Sequence, residues 1–169
     1  MRVKLFSLIK TLFLPLLASV MLSSTALAFT EFNGEKTSIE AQIGKGKWTV
    51  LEVWSSECHA CRMHMPEMVK FNGKMKNVRL LGVALDGQSG KADAQAMIDE
   101  YGIPFKNILS NAIEINAWME LNAQESLVGT PTFMIFNPKG KLMALQAGIL
   151  PVASLEKFIS AKSTTTASH

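Results

Sequence analysis

Residues 47–54 (Lys-Trp-Thr-Val-Leu-Glu-Val-Trp) are rich in β-branched and aromatic side chains and read as a strand. After Ser55-Ser56-Glu57 the pattern turns helical, and at that joint stand the chain's only two cysteines, in the order Cys58-His59-Ala60-Cys61. The rest of the chain repeats the alternation that this joint begins. Residues 78–85 are a short, nearly continuous apolar run, as expected of a parallel strand covered on both faces. Ala94, Met97, Ile98 and Tyr101 fall at i, i+3, i+4 and i+7, one helical stripe that stops at Gly102 and Pro104. A short apolar piece over 105–109 reads as another strand, and Ile115, Trp118 and Met119 as a modest helix. Residues 132–136 and 141–146 flank the turn Asn137-Pro138-Lys139-Gly140 as an antiparallel hairpin. Pro151 then opens a last helix with Val152, Leu155, Phe158 and Ile159 on one face. This order calls for an α/β fold, a central mixed sheet with helices on both faces.

The spacing of the cysteines has a mechanical consequence. If Cys58 lies at the helix N-terminus, its sulfur meets unpaired backbone N–H groups and the positive end of the helix dipole, which favour thiolate. Its pKa is then expected to fall from the free value of about 8.5 toward the range of about 3.5–7.5 found at such sites. Cys61 would lie one turn further in, close enough to attack a mixed disulfide formed on Cys58. Other uses of the pair carry less weight. A structural bridge closing two intervening residues would add little stability. Zinc needs two further ligands, which His59 and His64 supply poorly. Covalent haem needs His directly after the second cysteine, where Arg62 stands.

The N-terminal segment reads as an address. Arg2, Lys4 and Lys10 precede an apolar stretch over 12–22, then Ser23-Ser24-Thr25 and the small-residue site Ala26-Leu27-Ala28. That is the order of a secretory signal peptide, with cleavage expected after Ala28. The apolar run falls short of the roughly 20 residues of a spanning helix, and Pro15 interrupts it; an uncleaved anchor is the alternative. The expected organisation is therefore a signal peptide over 1–28, one domain over 29–162 and a flexible polar tail over 163–169. Those boundaries put both cysteines in an extracytoplasmic, disulfide-permissive compartment, the periplasm. The charge of +3 comes from the address: after it, 14 basic residues face 14 acidic ones. A neutral domain without a basic stripe gives no reason to expect nucleic acid as a partner.

Trp54-Ser55-Ser56-Glu57-Cys58-His59-Ala60-Cys61-Arg62, with Pro66 five residues after Cys61, resembles the W-x-x-x-C-x-x-C-[KR] signature of the thioredoxin superfamily, specifically its exported TlpA/ResA-like members. Val128-Gly129-Thr130-Pro131-Thr132-Phe133 is similar to the family's G-[VT]-P-T segment, and Gly148 before the last helix also matches. The likeness runs from about Trp48 to Phe158. It implies a thioredoxin-like fold with a cis proline loop facing the cysteines, and thiol–disulfide exchange through Cys58 and Cys61 with no dissociable cofactor. Client proteins with thiols or disulfides, and a membrane thiol reductant, are the implied partners. TlpA/ResA-like proteins are mostly reductants, so that direction is expected here. Where many relatives carry Trp before the first cysteine this chain has Glu57, and the dipeptide between the cysteines is His59-Ala60. These three residues are the candidate tuners of the potential, for which a shift of about 30 mV corresponds to about 1.4 kcal/mol.

The resemblance also singles out Glu52, six positions before Cys58, where thioredoxins place a buried acid. It would exchange a proton with Cys61; a strand-end side chain turned to water is the plain alternative. Pro131, with Thr130, is expected to hold an extended substrate beside Cys58. Trp54 is read as support beneath the turn, and Arg62 and His64 as surface helix residues. Met63, Met65, Met68 and Met75 with His59, His64 and the thiols admit a Cu(I) site, against the commoner use of methionine as core filler. A Cu(I) chaperone and a disulfide-donating oxidase or isomerase are therefore the competing functions. A peroxidase is disfavoured because Leu51 stands where a Pro-x-x-x-[ST]-x-x-Cys loop needs proline.

Overall fold

All seven residues of the strand Trp48–Trp54 are buried, and their alternation assigns them to two apolar layers. Trp48, Val50 and Trp54 face one layer and Leu51 and Val53 the other. A strand covered on both faces must lie in the middle of a sheet, and this one does. The computed structural model describes residues 29–166; the expected signal segment and residues 167–169 lie outside the described residues. In chain order the elements are β1 (Phe29–Glu31), β2 (Lys36–Thr37), β3 (Trp48–Trp54), α1 (His59–Phe71), β4 (Val78–Ala84), α2 (Lys91–Tyr101), β5 (Lys106–Leu109), α3 (Ala112–Ala123), β6 (Thr132–Phe136), β7 (Leu142–Ala147) and α4 (Val152–Thr166).

The strands form one sheet in the order β2-β1-β5-β4-β3-β6-β7. β3, β4 and β5 run parallel, while β6 and β7 on one flank and β1 and β2 on the other are antiparallel. On one face lie α1, α2 and α4, burying Met65, Met68, Phe71, Met97, Leu155 and Ile159. On the other, α3 buries Ile115, Trp118 and Met119. Full burial of each such side chain contributes about 1.5–3 kcal/mol. The mixed sheet with helices on both faces is the architecture the sequence pattern calls for.

Two details differ from the sequence reading. β1 and β2, of three and two residues, are too short to show alternation and were not expected. The last helix runs to Thr166, past the expected boundary at 163, and the polar side chains of its last turns bond back to its own carbonyls. Ser163 Oγ donates to the Ile159 carbonyl at 2.8 Å and Thr164 Oγ1 to the Ala161 carbonyl at 2.9 Å. No helix among the described residues is long and apolar enough to cross a membrane.

Register places Asn107, Gly82, Glu52 and Phe133 in one row across β5, β4, β3 and β6. The glycine makes this row possible. A Cβ at Gly82 would lie 1.8 Å from Asn107 Oδ1 and 2.8 Å from Trp54 Nε1. The amide fills that space and accepts a hydrogen bond from Trp54 Nε1 at 3.0 Å, while Asn107 Nδ2 donates to the Phe105 carbonyl at 2.9 Å. Gly82→Ala is therefore expected to expel the Asn107 side chain, strand the buried indole N–H and destabilise the fold by about 2–4 kcal/mol. Urea unfolding followed by tryptophan fluorescence measures this, and an unchanged midpoint would show that the amide has another place to go.

Candidate active site

At the C-terminal edge of the parallel strands the chain leaves β3 through Ser55, Ser56 and Glu57, and this turn is tied down before the helix begins. The Leu85 N–H donates to the Trp54 carbonyl at 2.9 Å and the Cys58 N–H to the Ser55 carbonyl at 3.1 Å. Asp86, just beyond the end of β4, accepts from the Ser56 backbone N–H at 3.0 Å and from the Ser56 hydroxyl. Ser55 Oγ accepts from the Glu57 N–H at 3.2 Å. Held in this way, Cys58 becomes the N-cap of α1, with φ −80° and ψ 105°. Its Sγ accepts a hydrogen bond from the Cys61 N–H at 3.1 Å, a role usually filled by Ser, Thr, Asp or Asn.

The two cysteines form a disulfide with Cα atoms 5.2 Å apart. They are not equivalent. Cys58 is half-buried at the helix mouth, whereas Cys61 is 0% exposed and belongs to the core layer under α1. A sulfur at a helix N-terminus that already accepts an amide N–H is placed to carry negative charge when reduced. Glu57 and His59 are exposed on either side of Cys58, and Ala60 is half-buried. Arg62, next along the helix, pairs with Glu100 of α2 at 2.6 Å and lies over the Tyr101 ring, so it clamps α1 to α2.

The Thr130–Pro131 bond is cis. Val53 pairs with Thr132 across β3 and β6, which sets Pro131 opposite Trp54, at the sheet edge where the chain turns toward Cys58. Pro131 is buried, and its carbonyl accepts the Gly148 N–H at 2.8 Å; Thr130 before it is half-buried. Around this edge stand three exposed apolar side chains, Met63, Val128 and Ile149.

Beneath α1, Glu52 is 1% exposed and neither carboxylate oxygen has a hydrogen-bond partner. The strand-end side chain turned to water, weighed as the plain alternative, is not what the structure holds. Burial raises its pKa from 4.5 to about 8, because nothing nearby compensates the charged form. His64, expected on the surface, is also buried, at 3% exposure. It lies three residues after Cys61, and that spacing puts both on the inward face of α1. Its ring meets Phe133 edge to face at 5.4 Å between centroids, and beyond the pull of the Leu150 backbone its ring nitrogens make no hydrogen bond of good geometry. Burial lowers its pKa below the ordinary histidine value, against the opposing pull of Glu67 and the Leu150 backbone. An unsatisfied buried polar group costs about 1–3 kcal/mol, so two of them on either side of Phe133 call for an explanation.

The groups considered for copper divide between the surface and the core layer under α1. His59 and Met63 are exposed, while Met65 and Met68 are buried in the core. No cluster of three or more His, Cys, Asp or Glu side chains suited to a metal occurs among the described residues. The sequence reading did not include Asp86, Asn107 or the burial of His64. Asp86 carries a signal in hindsight, since it ends a parallel strand beside a strand-to-helix turn, where sites in such sheets gather. Asn107 carries none without knowledge of its register against Gly82.

Residues 22–145 match the AhpC/TSA family. Among curated proteins, the thiol-disulfide oxidoreductase ResA of Halalkalibacterium halodurans is 24% identical over 125 residues, covering 74% of this chain and 68% of its own. The thioredoxin-like protein YneN of Bacillus subtilis is 26% identical over 128 residues, covering 74% of this chain and 69% of its own. Among solved structures, the thioredoxin domain of a thiol-disulfide oxidoreductase from Bacteroides vulgatus superposes with a TM-score of 0.63 at 20% identity, over 79% of this chain and 90% of that one. The last likeness is one of fold, a thioredoxin-like mixed sheet.

Glu52 makes stability depend on pH in a calculable direction. The folded protein keeps a proton that the unfolded chain gives up above pH 4.5, so stability falls as pH rises toward about 8 and levels off beyond it. Between pH 5 and 8 the disulfide form should lose about 3 kcal/mol from this group. Glu52→Gln should remove that loss, as read by urea unfolding at the two pH values; parallel declines in both proteins would show that the carboxyl is ionised when folded.

Proposed function

Because the chain belongs to the AhpC/TSA family, with a Cys-x-x-Cys pair in a thioredoxin-like fold, we propose that it is a thiol–disulfide oxidoreductase acting on proteins outside the cytoplasm. The observation that carries this reading is the inequality of the two sulfurs. Cys58 caps the helix with its Sγ on the Cys61 amide, and Cys61 lies buried one turn below.

In the reducing direction, the Cys58 thiolate attacks one sulfur of a client disulfide, forming a mixed disulfide and releasing the other client sulfur as thiolate. Cys61 then gives up its proton and attacks Cys58 Sγ. The bond between Cys58 and the client breaks, the second client sulfur leaves, and the Cys58–Cys61 disulfide remains. Two electrons have passed from the dithiol to the client. Run backward, the same residues donate a disulfide, so the chemistry alone does not set the direction. The resemblance to TlpA/ResA-like proteins and the curated match to ResA support a reductant, recharged by a membrane thiol donor. The Cys58–Cys61 pair is itself the redox group, and no dissociable cofactor enters these steps. The leader-like order of residues 1–28 supports export to the periplasm with cleavage after Ala28. Thr130 and cis Pro131, at the same sheet edge as Cys58, are the backbone against which an extended client would lie. Glu57, His59 and Ala60 are the near neighbours that would adjust the potential.

With Cys61→Ala the second step is removed, and covalent adducts on Cys58 should accumulate in periplasmic extracts, release with dithiothreitol and be lost in Cys58→Ser. Wild-type protein should catalyse insulin reduction, and equilibration against glutathione should give a potential below that of the glutathione couple. A Cys61→Ala protein that collects no adducts would refute the exchange reading, and a potential well above glutathione would reverse the direction.

A further inference from the structure

The resolving step leaves one question open: where the Cys61 proton goes. The sulfur is wholly buried, so water does not reach it directly. Two buried titratable side chains share its side of the sheet, Glu52 of β3 and His64 of α1, and Phe133 links them. Phe133 is the register partner of Glu52 and stacks edge to face against His64. Both groups are buried, and neither Glu52 oxygen has a hydrogen-bond partner.

Resting on the oxidoreductase reading above, we propose that His64 is the base that takes the proton from Cys61 during resolution, and that Glu52, on the strand beside Phe133, is the reserve acceptor. His64 lies one helical turn beyond Cys61 on the same buried face, where side chains at i and i+3 are neighbours. In the disulfide form Cys61 has no proton to offer the imidazole, whose polar surroundings are then the Leu150 backbone and the Glu67 carboxylate. The proton also has a way out: His64 Nε2 lies 3.9 Å from the carboxylate of Glu67, which is 61% exposed.

The surroundings of His64 assign the roles. From α1 its neighbours are Glu67 and, one turn back on the same buried face, Cys61; from β6 it meets the apolar Phe133; the segment before α4 offers the Leu150 backbone; and from β3 the titratable group is Glu52, one strand over. Burial keeps the imidazole neutral at pH 7, with a lone pair free to accept. Burial keeps Glu52 in the acid form until about pH 8, so it has no lone charge to offer before then. Two titratable groups pushed in opposite directions by one environment divide the acid and base work between them.

The test separates the two thiol steps with oxidised glutathione as the probe. Reduced protein is mixed with it in stopped flow, and formation and decay of the glutathione adduct are followed from about pH 5.5 to 9.5. In His64→Gln, formation should proceed as in wild type, since it reads Cys58, while decay near pH 7 should slow about a hundredfold, the low end of what a general base contributes. Decay should recover as Glu52 ionises above about pH 8, and the recovery should vanish when Glu52→Gln is added. Decay in His64→Gln that matches wild type in rate and pH profile would overturn the proposal. Failure of wild type to form the adduct would instead overturn the exchange reading beneath it. Should the amide not be tolerated in the core, His64→Leu gives the same comparison. If neither variant unfolds cooperatively, the wild-type profile decides: one ionisation near His64's range supports the base, and a rise only near pH 8 overturns it.

Discussion

The hydrogen bond from the Cys61 N–H to Cys58 Sγ is the contact on which the rest of the site depends. An α-helix begins with orphan amides that a side-chain oxygen normally caps. Here the cap is sulfur, so the helix can start with that amide satisfied only while Cys58 stays at its mouth. The clamp of Ser56 by Asp86 and the Cys58–Ser55 bond keep it there by fixing the turn out of β3. On reduction to a thiolate the same bond becomes charge-assisted and stronger. One interaction thus sets the helix boundary, the position of the outer sulfur and its readiness to ionise. The inner sulfur follows from helix geometry, three residues on and turned toward the sheet.

That inward direction brings Cys61 over a part of the core that is not purely apolar. Alternation along β3 forces Glu52 onto the face carrying Val50 and Trp54, and the fold accommodates it as a neutral acid. The neighbouring Asn107 shows that the same row can satisfy a polar group: Gly82 leaves room, and the Trp54 indole supplies the donor. Glu52 and His64 receive no such treatment. Both lie on the same side of the sheet as Cys61, and Glu52 retains the cost of two unpaired carboxyl oxygens. Functional sites are where such unspent polar capacity is retained, because a group already bonded has no acceptor to lend.

Much of this was legible in the residues. The continuous apolar run of β4, the helical stripe of α2 and the Asn137–Gly140 hairpin turn follow from local patterns, and so does the strand-to-helix joint that carries the cysteines. Two motifs in order made the likeness to a thioredoxin-like chain specific. β1 and β2 were not legible, since strands this short are held by pairing with each other and, through β1, with β5 rather than by any pattern of their own. Nor was the depth of His64. Taken alone, a histidine between two methionines on a charged helix reads as surface; only the way α1 lies on the sheet, with Met65 and Met68 turned inward as well, shows which face is buried. The burial of Glu52 could be inferred from alternation on a central strand, whereas the absence of any partner for it could not.

The same contrast between outside and inside bears on what sets the redox behaviour. Glu57 and His59 flank Cys58 in sequence, but both side chains are exposed, and water and salt screen charges there within about 8–10 Å. They would act on Cys58 with opposite signs and through a high dielectric. The helix mouth acts through a fixed amide in direct contact with the sulfur, and Glu52 and His64 lie where the dielectric is low. Stabilising the outer thiolate makes a dithiol more oxidising, because it favours the reduced form. Burying the inner thiol among neutral groups adds no charge to offset that effect; it makes the inner proton the quantity to be controlled. The exposed flanking residues Glu57 and His59 would thus act on the outer sulfur only through screened charge, whereas the inner sulfur lies on the buried face of α1.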